Sequence, residues 1–527
     1  MVRSFWSALA LSLVLSAHTS LAATVSTTLT ISNADITPDG FTRPAVLVNG
    51  VFPGPTIFGN KSDNFQITVQ NGLSNADMAV VTAVHWHGIE PRRVSDSNSH
   101  SANWADGVAD VTQCPIIPGN SFLYTFESVD QAGTFWYHSH YSTQYCDGLR
   151  GVFIIYDPND PQKSLYDVDD ESTIITLSDW YHYLAKDTPR IPEPNSTLIN
   201  GVGRYNNGLN EGPLVPLAVV GVQQGIRYRF RVVATSCDTN FMFSIDSHNL
   251  TIIEVDGNSV QPHTVNQIQI LAAQRYSVVV NANQPVANYW IRAIRSENNA
   301  TIVQTINGGM NAAIFRYSGA PNAEPTAAPD FTYNLLNEAD LTPLESTPPP
   351  AADGVFNLNV TYNPDNLGTY FVNGVTFQSP PVPVLLQIMS GANASDLLPQ
   401  GSVYTVQRNK AYDIVVPAGA AGGPHPLHLH GHSFWVIGSA GQPENEVNPV
   451  IRDTVSMGNP GETVHIRFET NNPGPWFFHC HIDWHLAVGF AIVFVEDIAD
   501  INTVEAPSQA WGNLCPAYNQ FIGSSTS

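Results

Sequence analysis

Ten of the seventeen histidines fall into four tight clusters: His85/His87, His138/His140, His425/His428/His430 and His479/His481/His485. The last cluster reads HCHIDWH and sets Cys480 between two histidines. On a strand, residues two apart share a face, so each H-x-H pair presents two imidazoles side by side. A single histidine on an apolar strand is ordinarily a core residue. Four converging pairs are different, because a closed core would leave many ring nitrogens without partners, at roughly 1–3 kcal/mol each. Metal coordination satisfies them instead.

Eight imidazoles with no clustered carboxylate suit copper or zinc, not calcium or magnesium. Cys480 decides between the two. With His425 and His485 it makes a His₂Cys set, the trigonal arrangement of blue electron-transfer copper, whereas a structural zinc wants a fourth protein ligand. Five residues beyond His485, where a weak axial Met is expected, stands Phe490. An apolar residue there leaves three-coordinate copper, favours Cu(I) and predicts a high reduction potential. Cys480 would bind one copper while its neighbours His479 and His481 bind two others. An electron arriving at the thiolate then has a short covalent route onward.

Three segments of one pattern position these residues: SFLYTFESVDQAGTFWYHSH ending at His140, RYSVVVNANQPVANYWIRAI ending at Ile294, and TVHIRFETNNPGPWFFHCH ending at His481. Each opens with period-two alternation, passes a turn and closes on a short aromatic strand. His85-Trp86-His87-Gly88 lies 53 residues before His138, and His428-Leu429-His430-Gly431 lies 51 before His479. Similar motifs at similar separations indicate duplicated β-domains. The middle copy has Arg292 and Ile294 where the others have histidines, so it keeps the scaffold without the site. Boundaries near 158 and 330 follow, giving domains 23–158, 159–330 and 331–527. SGAPNAEPTAAPD and TPPPAADG read as linker and loop. The fold class is all-β: three consecutive Greek-key sandwiches or barrels.

Composition agrees, with 38 Gly, 38 Pro and only 13% charged residues among 527. Twenty-one basic residues against 45 acidic ones give −24, a balance that excludes a nucleic-acid partner. Residues 1–22, MVRSFWSALALSLVLSAHTSLA, predict a cleaved secretory signal. No other segment is apolar enough to cross a membrane, and CPAYNQFIGSSTS lacks a lipid-anchor signal. A secreted, extracellular chain is expected. Without Cys480, the cysteines Cys114, Cys146, Cys237 and Cys515 allow two disulfides in three possible pairings. Asn60, Asn195, Asn249, Asn299, Asn359 and Asn393 begin glycosylation sequons.

HWHG (85–88), WYHSH (136–140), HPLHLHGH (425–432) and HCHIDWHLAVGF (479–490) resemble the four copper signatures of the multicopper oxidases, and in detail those of fungal, basidiomycete-type laccases. The similarity extends through NWADG (103–107), STQYCDGLRG (142–151) and SCDTNF (236–241). It implies three cupredoxin-like domains and four copper ions. His425, Cys480 and His485 would hold the type 1 copper, with Phe490 axial and non-coordinating, and His85 and His428 the type 2. His87, His138 and His481 would hold one type 3 copper, and His140, His430 and His479 the other. The implied disulfides are Cys114–Cys515 and Cys146–Cys237. Asp238 would accept the phenolic proton as an electron leaves through His485, in a pocket the middle domain helps to form. Asp106 would supply protons near the trinuclear cluster.

The implied activity is one-electron oxidation of phenols and aromatic amines coupled to four-electron reduction of dioxygen to two waters, by a monomer, in settings such as lignin degradation. Ferroxidase or ascorbate oxidase activity and non-catalytic copper binding are the alternatives. Two features depart from the pattern. IEPRRVSDSNSHSA (89–102) is longer than expected and reads as a polar surface loop, with His100 solvated. Ala487 stands where relatives often carry an acid. His182, His248, His263, His432 and His465 read as structural.

Overall fold

The computed structural model describes residues 22–95, 98–189, 192–205, 215–297, 300, 310–326, 332–365 and 368–525. The secretory signal (all but its last residue), the 330 boundary and the Asn299 sequon lie outside these residues.

Two sheets of six and four strands take up residues 24–156, sheets of seven and five strands residues 174–317, and two five-stranded sheets with a two-stranded ribbon residues 354–496. The architecture is all-β, and its sheets mix parallel and antiparallel pairing. Thr24–Ile36 runs parallel to Asn64–Asn71, and Gly54–Asn60 parallel to Arg150–Tyr156. Alternation sets the inward face: in Asn64–Asn71, Phe65, Ile67 and Val69 are buried while their neighbours are not.

The two strands of each repeat do not pair with one another. Ser121–Glu127 belongs to the six-stranded sheet and Gly133–Ser139 to the four-stranded one. Arg275–Asn281 and Asn288–Ser296 divide in the same way, as do Thr463–Glu469 and Gly474–Cys480. Each turn therefore carries the chain from one sheet of a sandwich to the other. Gly133–Ser139 and Gly474–Cys480 are buried at every position. One face packs in its own sandwich and the other against a neighbouring domain, which is why they read as continuous apolar runs.

Register explains the middle copy. His85 lies opposite His138 and His87 opposite Trp136. In the middle domain Ser244 lies opposite Arg292, and the Asp246 N–H donates to the Trp290 carbonyl. The Arg292 guanidinium bonds the Asp246 carboxylate at 2.5 and 2.7 Å. An ion pair stands where the first domain has imidazoles.

The 89–102 segment is a hairpin, not an open loop: Arg92–Ser95 pairs with Asn98–Ser101 at the edge of the six-stranded sheet. The Arg92 guanidinium ties it to the Asn471 carbonyl and amide oxygens at 3.1 and 2.8 Å. The segment TPPPAADG (347–354) is held at both ends, by Trp435 Nε1 to the Thr347 carbonyl and by Asp353 N–H to the Ala411 carbonyl.

The chain ends in a helix, Gln509–Ser525, that returns to the first domain through Cys114–Cys515 and through Trp511 Nε1, which donates to the Thr112 carbonyl at 2.9 Å. Just before it, the buried Glu505 carboxylate accepts the N–H groups of Asn103 and Trp104 at 3.1 and 3.5 Å. Burial pushes its carboxyl up to about 7, against the opposing pull of Ser101, these two N–H groups and Arg93. An acid raised on folding contributes stability that is complete below its unfolded value and lost as pH rises through the folded one. The loss here is about 3 kcal/mol. Glu505→Gln should therefore melt at a higher temperature than the parent at pH 8 and close to it at pH 4.5. Parallel melting curves across that range would contradict the assignment.

Candidate metal centre

Strands Val84–His87 and Gly133–Ser139 of the first domain face Pro426–Leu429 and Gly474–Cys480 of the third. Within each pair, His85 sits opposite His138 and His428 opposite His479. The turns that follow bring in His140, His430 and His481. All eight rings are buried. Donor atoms of His85, His87 and His138, of His85, His428 and His430, and of His140, His430 and His479 lie within 4.8 Å of one another. His481 closes the group, its ring centre 4.9 Å from that of His87 and 5.2 Å from that of His138.

The outward nitrogens show which way the rings are turned. Nδ1 of His85 donates to the Asp106 carbonyl at 2.8 Å, and Nδ1 of His428 to the Asp453 carbonyl at 2.8 Å. Nδ1 of His138 and of His479 donate to the carbonyls of Ser139 and Cys480, each at 2.9 Å. Nδ1 of His430 donates to Asp106 Oδ2 at 3.0 Å. In these rings Nε2 is left as a lone pair pointing inward. Nε2 of His85, His138, His140, His428 and His481 has no hydrogen-bond partner among the described residues, nor does Nδ1 of His87. Nε2 of His430 and Nε2 of His479 face each other at 3.1 Å. Two lone pairs so close repel unless a cation lies between them. Burial, followed mainly by neighbouring imidazoles, holds the rings of His138, His140, His428, His430, His479 and His481 below the ordinary histidine value, at about 3 for His479. Neutral imidazole is the metal-binding form.

A second group stands beside it. Cys480 Sγ is 3.6 Å from Nδ1 of His425 and from Nδ1 of His485, and those nitrogens are 3.1 Å apart. Cys480 is buried and is the free cysteine, since disulfides join Cys114 to Cys515 and Cys146 to Cys237. Burial pushes its thiol up, so ionisation requires a cation at the site. The Phe490 ring centre is 5.2 Å from that of His425. Of the three donors, only His485 is partly exposed. The residues fit two metal sites, one trigonal with a soft thiolate and one of eight imidazoles, and the donor chemistry is that of copper.

Carboxylates support both groups. Asp106 is 1% exposed and bonds His430 through Oδ2, while its Oδ1 has no donor among the described residues. Asp453 lies 3.3 Å from Nε2 of His87 and is gripped by Arg275 at 2.7 and 2.6 Å. Asp179 accepts the N–H groups of Cys237, Asp238 and Thr239 at 2.9, 2.9 and 3.0 Å, which fixes the turn bearing Asp238. Sequence reasoning missed Asp453 and Asp179. Only the position of Asp453, one residue before Thr454 in the strand beside His428, could have marked it. Asp238 itself is partly exposed, and burial, with Asp179 and Glu297 outweighing Arg295, pushes it up to about 7.

Four of the other histidines have partners of their own: His182 with Asp39, His248 with Tyr317, His432 with Glu496 and His465 with Glu444. His100 is half-buried in its hairpin and joins no donor group. Asn60, Asn249, Asn359 and Asn393 are exposed, while Asn195 is half-buried and accepts the His182 N–H.

Three family models, each described as multicopper oxidase, match residues 30–160, 171–320 and 377–500. A laccase of Phlebia radiata is 54% identical over 497 residues, 93% of each chain. Laccase-4 of Trametes villosa is 54% identical over 503 residues, 94% of each. Among solved structures, a laccase from Botrytis aclada superimposes with a TM-score of 0.81 at 31% identity, covering 95% of this chain and 93% of its own. Fet3p, a multicopper oxidase that functions in iron import, also gives 0.81, at 29% identity and with 94% and 95% covered.

Proposed function

The chain belongs to the multicopper oxidase family, and from that premise we propose that it works as a laccase, oxidising phenols and aromatic amines one electron at a time while reducing dioxygen to water. His425, Cys480 and His485 hold the type 1 copper, beside a non-coordinating Phe490. His85 and His428 hold the type 2. His87, His138 and His481 hold one type 3 copper, and His140, His430 and His479 the other. Bound copper supplies one-electron oxidation at the first site and the four-electron reduction of dioxygen to two waters at the second.

The protein does the rest. His485 offers its partly exposed edge to a reductant, while His425 and Cys480 stay dry. Asp238, on the turn that Asp179 fixes, accepts the phenolic proton at a carboxylate that burial has made more basic. The carrying observation is the peptide geometry: Cys480 turns to one donor set while His479 and His481, its chain neighbours, turn to the other. A storage protein has no use for that link.

Three cupredoxin-like domains with boundaries near 158 and 330, a signal over residues 1–22 and carbohydrate at the sequons, including Asn299, complete the reading. The chain acts as a secreted monomer without a nucleic-acid or membrane partner; no described helix is long and apolar enough to cross a membrane. Copper assay with visible and spin-resonance spectra tests it: near four coppers per chain, an intense thiolate band, and oxygen uptake with a phenol but not with iron(II). Uptake driven by iron(II) would move the assignment to a ferroxidase. A colourless, oxygen-inert protein would leave only metal storage.

A further inference from the structure

The loop Ala418–Pro424, AGAAGGP, leads into His425 and has no side chain larger than a methyl group apart from its proline. Such a segment cannot hold its own shape by packing. Two of its atoms nonetheless matter to the mononuclear site. The Ala420 carbonyl lies 3.3 Å from Nε2 of His425, the nitrogen turned away from Cys480. Gly422, at φ +91°, lies against the outer edge of His485: a Cβ there would be 3.0 Å from Cε1 and from Nε2 of that ring. The loop thus supplies both the acceptor that orients one ligand and the wall beside the exposed edge of the other.

One side chain of the third domain reaches it. Tyr370, on the strand Thr369–Val372, is 2% exposed, and its hydroxyl donates to the Ala421 carbonyl at 2.5 Å. Its ring stacks on Phe490 at 5.1 Å and 22°, with centres 4.7 Å from His485 and 5.7 Å from His425. From the other side Asn240 Nδ2 meets the Pro424 carbonyl at 3.4 Å, a weaker hold.

We propose that Tyr370 is a positioning residue of the mononuclear site, whose hydroxyl pins Ala421 and so sets both the acceptor behind His425 and the glycine wall that controls how closely a phenol approaches His485. The proposal rests on the assignment of His425, Cys480 and His485 as the electron-accepting site. The ring alone fills space and excludes water; the hydroxyl adds the geometry.

Tyr370→Phe in the full-length, copper-loaded enzyme separates the two. Loss of one hydrogen bond of ordinary strength predicts a rise of about fivefold in KM for a phenol. With it should come a shifted thiolate absorption band and altered copper hyperfine splitting, at unchanged copper content. A variant with the parent's band, splitting and KM would overturn the proposal. Gly422→Ala, which keeps the Tyr370 side chain but sets a Cβ 3.0 Å from the His485 ring and 3.1 Å from the Tyr370 hydroxyl, keeps the test decisive if Tyr370→Phe fails to take up copper: it should raise KM for phenols, and an unaltered KM would sink the wall. A parent enzyme with no thiolate band would instead sink the underlying assignment of the site.

Discussion

Cys480→Ser should give a folded protein that takes up copper at the histidine cluster, shows no thiolate charge-transfer band and oxidises phenols negligibly. Serine is nearly isosteric and the side chain is buried, so packing changes little. The donor changes completely, because a hydroxyl is a hard ligand and does not ionise where even the thiol is pushed up by burial. Removing a group that merely supports a ligand costs 10- to 100-fold in activity. Removing the thiolate that joins the two sites should cost more than about 100-fold. The histidine cluster has eight donors of its own and should keep its copper. Spectra, copper content and oxygen uptake with a phenol measure the three parts. Retention of both the band and the turnover would refute the relay.

The metal-ligand candidates were legible because histidine and cysteine are rare and chemically distinctive, and because period-two spacing translates directly into a shared face. The three-fold repeat was legible for the same reason. Which nitrogen of each ring turns inward was not, since the acceptors that decide it are mostly backbone carbonyls, those of Asp106, Ser139, Asp453 and Cys480. Every residue has a carbonyl, so composition carries no trace of its direction. Pairing was hidden too: alternation shows that 121–127 and 133–139 are strands, not that they enter opposite sheets.

The Arg292–Asp246 pair could be read only as absent histidines until register placed it on the ligands' counterpart strands. The polar run at 89–102 looked like open loop because serine and asparagine have little strand propensity. Its pairing with the sheet edge and the Arg92–Asn471 contacts override that preference. Gln509–Ser525 has Gly, Pro and several polar residues in its interior, so no strong helical pattern announces it. Trp511 and the Cys114–Cys515 bridge hold it in place.

Asp106→Asn should divide the catalytic cycle. Each dioxygen reduced to water consumes four protons as well as four electrons, and the histidine cluster is buried, so the protons must come from a group inside the protein. We propose Asp106 as the carboxylate that supplies them. It is 1% exposed, one oxygen bonds the Nδ1–H of His430 at 3.0 Å, and the other lies 3.2 Å from Nδ1 of His85 without a proper hydrogen bond. Asparagine can still present its carbonyl oxygen to His430, so the ring stays oriented and copper content should hold. Asparagine carries no exchangeable acid.

Loss of a positioned general acid typically costs 10²- to 10⁴-fold, and reoxidation of the reduced enzyme by dioxygen should slow by about 10²-fold. Electron uptake from a phenol, assigned in the proposed mechanism to Asp238 and His485, should stay within about twofold, since Asp106 contacts neither residue. Stopped-flow measurement of the two halves separately makes the comparison: bleaching of the thiolate band by substrate, then its recovery on mixing with oxygen. Equal slowing of both halves would mean that Asp106 holds the architecture of the cluster and supplies no protons. Restoration by Asp106→Glu, which returns a carboxyl on a longer arm, would strengthen the proton assignment, because orientation alone is already met by asparagine.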